Sequence, residues 1–102
     1  MTNQDKFLNL LGLATKAGKL VSGDDTTVNA VRKQNVSLVI VATDASEATI
    51  KKMRDKCSYY NTAIIVAFTK AELSHAIGKS RAIIGVCDRG FSRKMRELMT
   101  EE

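Results

Sequence analysis

The chain has 102 residues, 44% of them hydrophobic and 26% charged, with 16 Lys and Arg against 11 Asp and Glu for a net charge of +5. That length suits one domain over 1–102 with its own core. No apolar run approaches the roughly 20 residues of a membrane span, and two separated cysteines, Cys57 and Cys87, exclude a disulfide framework or a paired metal site.

The first apolar residues, Phe7, Leu8, Leu10, Leu11 and Ala14, recur at helical spacing between Asp5 and Ala17, and Gly18 is a natural stop. Asn9, Gly12 and Lys16 punctuate this stretch too often for a signal peptide. Leu20-Val21 forms a strand so short that it belongs at a sheet edge or in an antiparallel pair. Asp24 and Asp25 stand where a helix N-cap belongs, ahead of Val28, Ala30 and Val31. Ser37 to Ala42 is a continuous aliphatic run, the pattern of a strand covered on both faces.

Ser46 caps a third helix through Lys56, with Ile50, Met53 and Cys57 turned inward. Thr62 to Phe68 reads as a second fully covered strand. Thr69-Lys70-Ala71-Glu72 is a capping box opening a helix that ends at Gly78. Ala82 to Cys87 is the last covered strand, and Asp88 or Ser92 opens a helix to Met99. The order is α-β-α-β-α-β-α-β-α. Apolar strands separated by helices predict an α/β fold, a three-layer α/β/α sandwich around a small four-stranded mixed sheet.

Little in this pattern carries catalysis. His75 is the sole histidine, so His-based metal sites and a second base are excluded. Asp24-Asp25 and Glu101-Glu102 read as a helix start and a frayed tail. The segment ending Gly78-Lys79-Ser80 fails as a phosphate-binding loop, because the first glycine falls on Leu73 and a helix precedes it. Gly12 to Lys19 has one residue too many between its glycines. No strand-to-helix junction carries GxGxxG. These residues predict no enzyme, no cofactor, no metal and no small-molecule substrate. Both cysteines are expected to be buried thiols of a reducing compartment, in a soluble cytoplasmic protein.

The basic balance favours a polyanion partner, and five aromatic residues without a tryptophan argue against stacking successive bases on a platform. Two loops stand out. Gly18 to Thr26 puts Gly23 immediately before a helix N-terminus, whose free amides and positive dipole end welcome phosphates and base acceptor edges. Ala76 to Ile83 is a basic helix-to-strand loop offering Lys79 and Arg81 for phosphates and Ile83 as an apolar prop.

Four segments in order, Ala17-Gly18-Lys19, Gly23 through Ala30, Val39 through Ala45 and Glu72 through Gly78, carry a resemblance from about Phe7 to Leu98. The chain resembles the kink-turn-binding ribosomal protein superfamily of the L7Ae/L30e/S12e type, and within it the bacterial YlxQ-like branch. The resemblance implies the α/β/α fold and recognition of kink-turns, sharply bent RNA helices flanked by tandem sheared G·A pairs. It implies a structured RNA partner in a ribosomal or regulatory setting.

The family's reading segment, G-T-N-E-x-T-K-A, falls here on G-D-D-T-T-V-N-A. Gly23 matches; the family Asn, Glu and Lys become Asp25, Thr26 and Asn29. Thr26 accepts through one hydroxyl only, Asp24 or Asp25 can accept from a guanine amino group, and Asn29 still donates but without charge. The expected RNA-binding set is Lys16, Lys19, Gly23, Asp24, Asp25, Thr26, Asn29, Arg32, Lys33, Lys79, Ser80, Arg81, Ala82 and Ile83, with Lys16, Lys19, Arg32 and Lys33 supplying backbone contacts. The substitutions predict RNA binding with a weaker or altered kink-turn preference.

Lys51, Lys52, Arg54 and Lys56 are expected to form a solvated helix face. A second reading is a protein-interaction module of the same fold that has lost RNA recognition. A third, the N-terminal RNA-binding part of an RNA methyltransferase, requires a cofactor domain beyond Glu102. A monomer is expected, because the assigned core uses up the apolar residues.

Overall fold

The computed structural model describes residues 1–100; Glu101 and Glu102, read above as a frayed tail, lie outside the described residues. Five helices alternate with four strands: α1 Asn3–Lys16, β1 Leu20–Ser22, α2 Asp24–Arg32, β2 Leu38–Val41, α3 Glu47–Tyr59, β3 Ala63–Val66, α4 Lys70–Ile77, β4 Ile83–Val86 and α5 Arg89–Thr100. The sheet order is β1-β4-β2-β3, with β2 and β3 parallel and both β4 pairings antiparallel. This is the predicted mixed α/β fold, and β1 is the short antiparallel edge strand that its length demands.

Alternation along the central strands builds the three layers. Leu38 and Ile40 of β2 and Ile84 and Val86 of β4 face one core with Phe7, Leu11, Leu73, Met95 and Leu98 from α1, α4 and α5. Val39, Val41 and Ile83 face the other with Val28, Val31, Met53 and Cys57 from α2 and α3. A continuous aliphatic run is therefore what a strand between two helical layers requires. Fully burying each such side chain stabilises the fold by about 1.5–3 kcal/mol.

Several local expectations need correction. The segment from Thr62 to Phe68 is not a fully covered strand: β3 is confined to Ala63–Val66, lies at the sheet edge beside β2 alone, and is half-buried throughout. Its composition matches β2, but strand order decides which aliphatic run is central. Phe68 leaves β3 with φ +68°, and its ring packs 5.1 Å from that of Phe7. Its carbonyl accepts from both the amide and the hydroxyl of Thr43 (2.8 and 3.0 Å).

Helix α1 begins two residues before Asp5, because Thr2 and Asp5 form a capping box (3.1 and 3.2 Å). Helix α3 starts after Ser46 as expected but runs on to Tyr59. The Thr69–Glu72 capping box is present, and the Lys70 amide donates to Asp44 Oδ1 at 2.8 Å. Asp24 and Asp25 are not caps but the first residues of α2; Gly23 is its N-cap. Asp88 opens α5 by accepting from the Phe91 amide (2.9 Å). Cys57 is buried, whereas Cys87 is exposed just past β4, against the expectation that both thiols are buried.

Candidate functional site

The two loops singled out in the sequence meet at one end of the sheet. Strands β1 and β4 are antiparallel, so the C-terminal end of β1 lies beside the N-terminal start of β4. The Gly23 amide donates to the Ile83 carbonyl at 2.9 Å, and the Arg81 Nε donates to the Ser22 hydroxyl at 3.2 Å. Gly23 has φ +93° and ψ 160°, a backbone region essentially restricted to glycine. That conformation turns the chain from β1 directly into α2. With no side chain at the cap, the first amides of α2 are left open toward whatever sits over the loop.

The partner loop is fixed from beneath. The Ser74 hydroxyl of α4 accepts from the Arg81 amide (3.0 Å) and donates to the Arg81 carbonyl (3.2 Å). Gly78 closes α4 in the left-handed conformation, φ +78°. Lys79 and Ser80 follow as exposed residues, and Arg81 Nη1 donates to the Ser80 carbonyl at 3.0 Å. Arg81 is thereby held across the β1–α2 junction, its guanidinium within 3.9 Å of where a Cβ on Gly23 would stand. Ser74 was not foreseen, because a serine on a helix carries no signal of a bond seven residues onward.

Asp25, Thr26 and Asn29 are exposed on α2, and their four- and three-residue spacings put them on one face. Asp24 is turned elsewhere. Its Oδ1 accepts from the Lys52 ammonium of α3 at 2.6 Å, so one lysine of the basic run expected to be a solvated face pairs with a carboxylate beside the site. Lys51 pairs instead with Asp55 on its own helix at 2.9 Å. Sequence reasoning missed Lys52 because only tertiary packing brings α3 to the start of α2.

The remaining expected residues separate into two groups. Ile83 is 4% exposed and packs in the α2–α3 core; what it presents at this end is its carbonyl. Ala82 is half-buried, and its carbonyl accepts from the Ala42 amide at 2.9 Å. Lys16, Lys19, Arg32 and Lys33 are exposed but lie toward the opposite end of the sheet. The Lys19 carbonyl accepts from the Cys87 amide (2.8 Å) at the C-terminal end of β4, and Arg32 ends α2 about 12 Å from Asp24 at 1.5 Å per residue. The structure thus assembles Gly23, Asp25, Thr26 and Asn29 with Lys79, Ser80 and Arg81, and leaves the other four basic residues outside this cluster.

The ionisable side chains of the cluster are Asp25, Lys79 and Arg81. Among the described residues no group of three His, Cys, Asp or Glu could hold a metal ion, and His75 is exposed on α4. Burial pushes the Cys57 thiol up to about 11, and raises that of Cys87 with Lys19 partly opposing. No helix among the described residues is long and apolar enough to cross a membrane.

Residues 5–96 match the model of the ribosomal protein L7Ae/L30e/S12e/Gadd45 family. The chain is 44% identical over 97 residues to the RNA-binding protein YlxQ of Enterococcus faecium, covering 95% of this chain and 94% of the relative. It is 41% identical over 95 residues to the RNA-binding protein YlxQ of Bacillus subtilis, covering 92% and 95%. A solved structure of a Bacillus halodurans protein of unknown function superposes with a TM-score of 0.91 at 45% identity, covering 94% of this chain and 98% of that one. The Giardia lamblia 15.5kD RNA binding protein shares the fold at 16% identity, with a TM-score of 0.81 over 94% of this chain and 83% of the other.

Proposed function

The chain belongs to the ribosomal protein L7Ae/L30e/S12e/Gadd45 family, and from that premise we propose that it is a non-catalytic RNA-binding protein docking on a folded RNA. The observation that carries the reading is the Gly23–Ile83 bond with Arg81 beside it, which sets the open start of α2 next to a loop presenting two cations. An RNA bend laid over this end meets amides and the Asn29 carboxamide on one side. On the other it meets Lys79 and Arg81. Phosphate contacts from the cations supply affinity and salt sensitivity; Thr26, Asn29 and Asp25 address base edges.

We further propose a kink-turn as the preferred target, with selectivity softened because Thr26 and Asn29 offer one hydroxyl and one neutral amide at positions where the family uses an acid and a lysine. The setting we propose is a cytoplasmic one, on ribosomal RNA or a structured regulatory RNA. We propose a monomer; among the described residues the exposed large hydrophobics are Met1, Leu13 and Tyr59, few for an extended apolar interface.

Gel-shift titration of a kink-turn RNA and a plain duplex of equal length tests the reading. Binding to both with a several-fold preference for the kink-turn is expected, and Lys79→Ala with Asn29→Ala is expected to weaken it. Equal affinities would remove the kink-turn preference and leave general RNA affinity. No shift of either RNA at low salt would remove RNA binding altogether.

A further inference from the structure

The far end of the sheet carries its own concentration of cations. Arg89, Arg93 and Arg96 are four and three residues apart on α5 and so share a face, while Ser92, Met95 and Leu98 turn into the core. All three arginines are exposed, and none makes an ion pair or a side-chain hydrogen bond within the described residues. They line one open concavity whose floor includes Ser37 and Ser92. The Ser37 hydroxyl donates to the Val86 carbonyl (3.2 Å), leaving Ser92 to donate to Ser37 at 2.5 Å. That pair fixes the arginine-bearing helix to the start of β2.

Arg89 also borders an adjoining polar hollow with Gln34 and Asn61. Both take positive φ, +58° and +57°, just past the ends of α2 and α3. Phe68, the other non-glycine with positive φ, is explained by its ring packing on Phe7. Gln34 and Asn61 close α2 and α3 as left-handed caps: their backbone amides donate to the Val31 and Ser58 carbonyls (2.9 and 3.3 Å), the following Asn35 and Thr62 amides donate to Ala30 and Cys57 (2.9 and 2.8 Å), and both side chains are exposed. Glycine would sit there more easily. Two residues before Asn61, the 80% exposed ring of Tyr59 stands edge-on to Tyr60, centroids 4.8 Å apart.

We propose that this end is a second RNA-contact surface, at which Arg89, Arg93 and Arg96 grip phosphodiester groups of a segment beyond the one held at Gly23, and Gln34 and Asn61 address its sugar or base edges. The inference rests on the RNA-binding reading above. Guanidinium forks match phosphate oxygens in pairs, and the exposed side-chain amides and the Tyr59 ring are what single-stranded or flanking nucleotides use. None of the exposed large hydrophobics among the described residues lies on α5, so the arginine stripe lacks the exposed apolar face that a membrane-surface helix requires.

The test is equilibrium binding of a kink-turn RNA with extended arms over a salt series. For Arg89→Gln/Arg93→Gln/Arg96→Gln, affinity is expected to fall about 10- to 100-fold near 0.1 M salt, and the log–log salt slope to shrink by about 2–3. A purely structural role for these exposed arginines would change the melting temperature and leave the slope alone. Gln34→Gly/Asn61→Gly is expected to melt at a higher temperature than wild type and yet bind the RNA at least three-fold more weakly. A wild-type slope and affinity in the triple variant overturns this surface while leaving the Gly23 site intact. Absence of RNA binding by the wild-type chain sinks both.

Discussion

The ammonium of Lys52 and the carboxylate of Asp24, 28 residues apart in sequence, meet at 2.6 Å and tie the third helix to the first turn of the second. Both side chains are over two-fifths exposed, so the pair contributes at most about 1 kcal/mol to stability. Its larger effect is on charge beside the candidate RNA site. Lys52→Ala should leave a bare carboxylate there and weaken RNA binding several-fold, most visibly at low salt. Adding Asp24→Asn should recover most of that loss. A double-mutant cycle read by RNA titration checks the coupling.

Gly23→Ala tests the backbone conformation at the site. A Cβ there meets nothing closer than Arg81 Nε at 3.9 Å, so steric collision is not the issue; φ +93° with ψ 160° is. The strain is expected to cost about 1–3 kcal/mol in urea denaturation. RNA affinity should fall further than a conservative change elsewhere on α2 makes it fall, because the start of the helix moves.

Gly85→Ala tests packing between the layers. The added Cβ would stand 2.9 Å from Val21 Cγ2, 3.2 Å from Val36 Cγ2 and 3.3 Å from Thr27 Cγ2, three branched side chains with little room to withdraw. Overpacking of about 1–3 kcal/mol and a lower melting temperature are expected.

Thr27 lies in the same contact and is fully buried, with no hydrogen-bond partner for its hydroxyl among the described residues. Thr27→Val keeps the shape and removes an unsatisfied polar atom. Chemical denaturation should show a gain of about 1 kcal/mol, the reverse of the usual outcome of a core substitution.

The cysteines give a pH-dependent prediction. Burial raises the Cys57 thiol from 9.0 to about 11, so the folded state holds a proton that the unfolded chain releases first. Stability from this group is complete below pH 9 and is lost as the pH climbs toward 11. Iodoacetamide on the native protein should label the exposed Cys87 alone, slowly at neutral pH because its thiol is also raised. Mass spectrometry should find Cys57 modified only after unfolding.

Much of the fold was written in short-range chemistry. The capping box at Thr69, the Ser46 cap, the Gly18 and Gly78 stops and the aliphatic runs each act within a few residues and are found where they were expected. What local patterns omit is order in space. The runs Leu38–Val41 and Ala63–Val66 have nearly the same composition, yet one is central and the other an edge. The same omission divided the candidate site. Lys16, Lys19, Arg32 and Lys33 are close in sequence to Gly23, but a strand or a helix carries each of them away from it. Arg81 is 58 residues from Gly23, and β4 returns it to Gly23's side.

Helix α2 starts at the Gly23 end and finishes beside Gln34, and its nine residues make it a ruler. Inserting one residue into it would advance the far end by about 1.5 Å and swing it by about 100°. An RNA that touches both ends is therefore measured as well as bound: only a fold whose two segments match the length of α2 engages both. With both ends engaged as proposed, nine residues of helix would select for the span of a partner, which no single contact at either end can do.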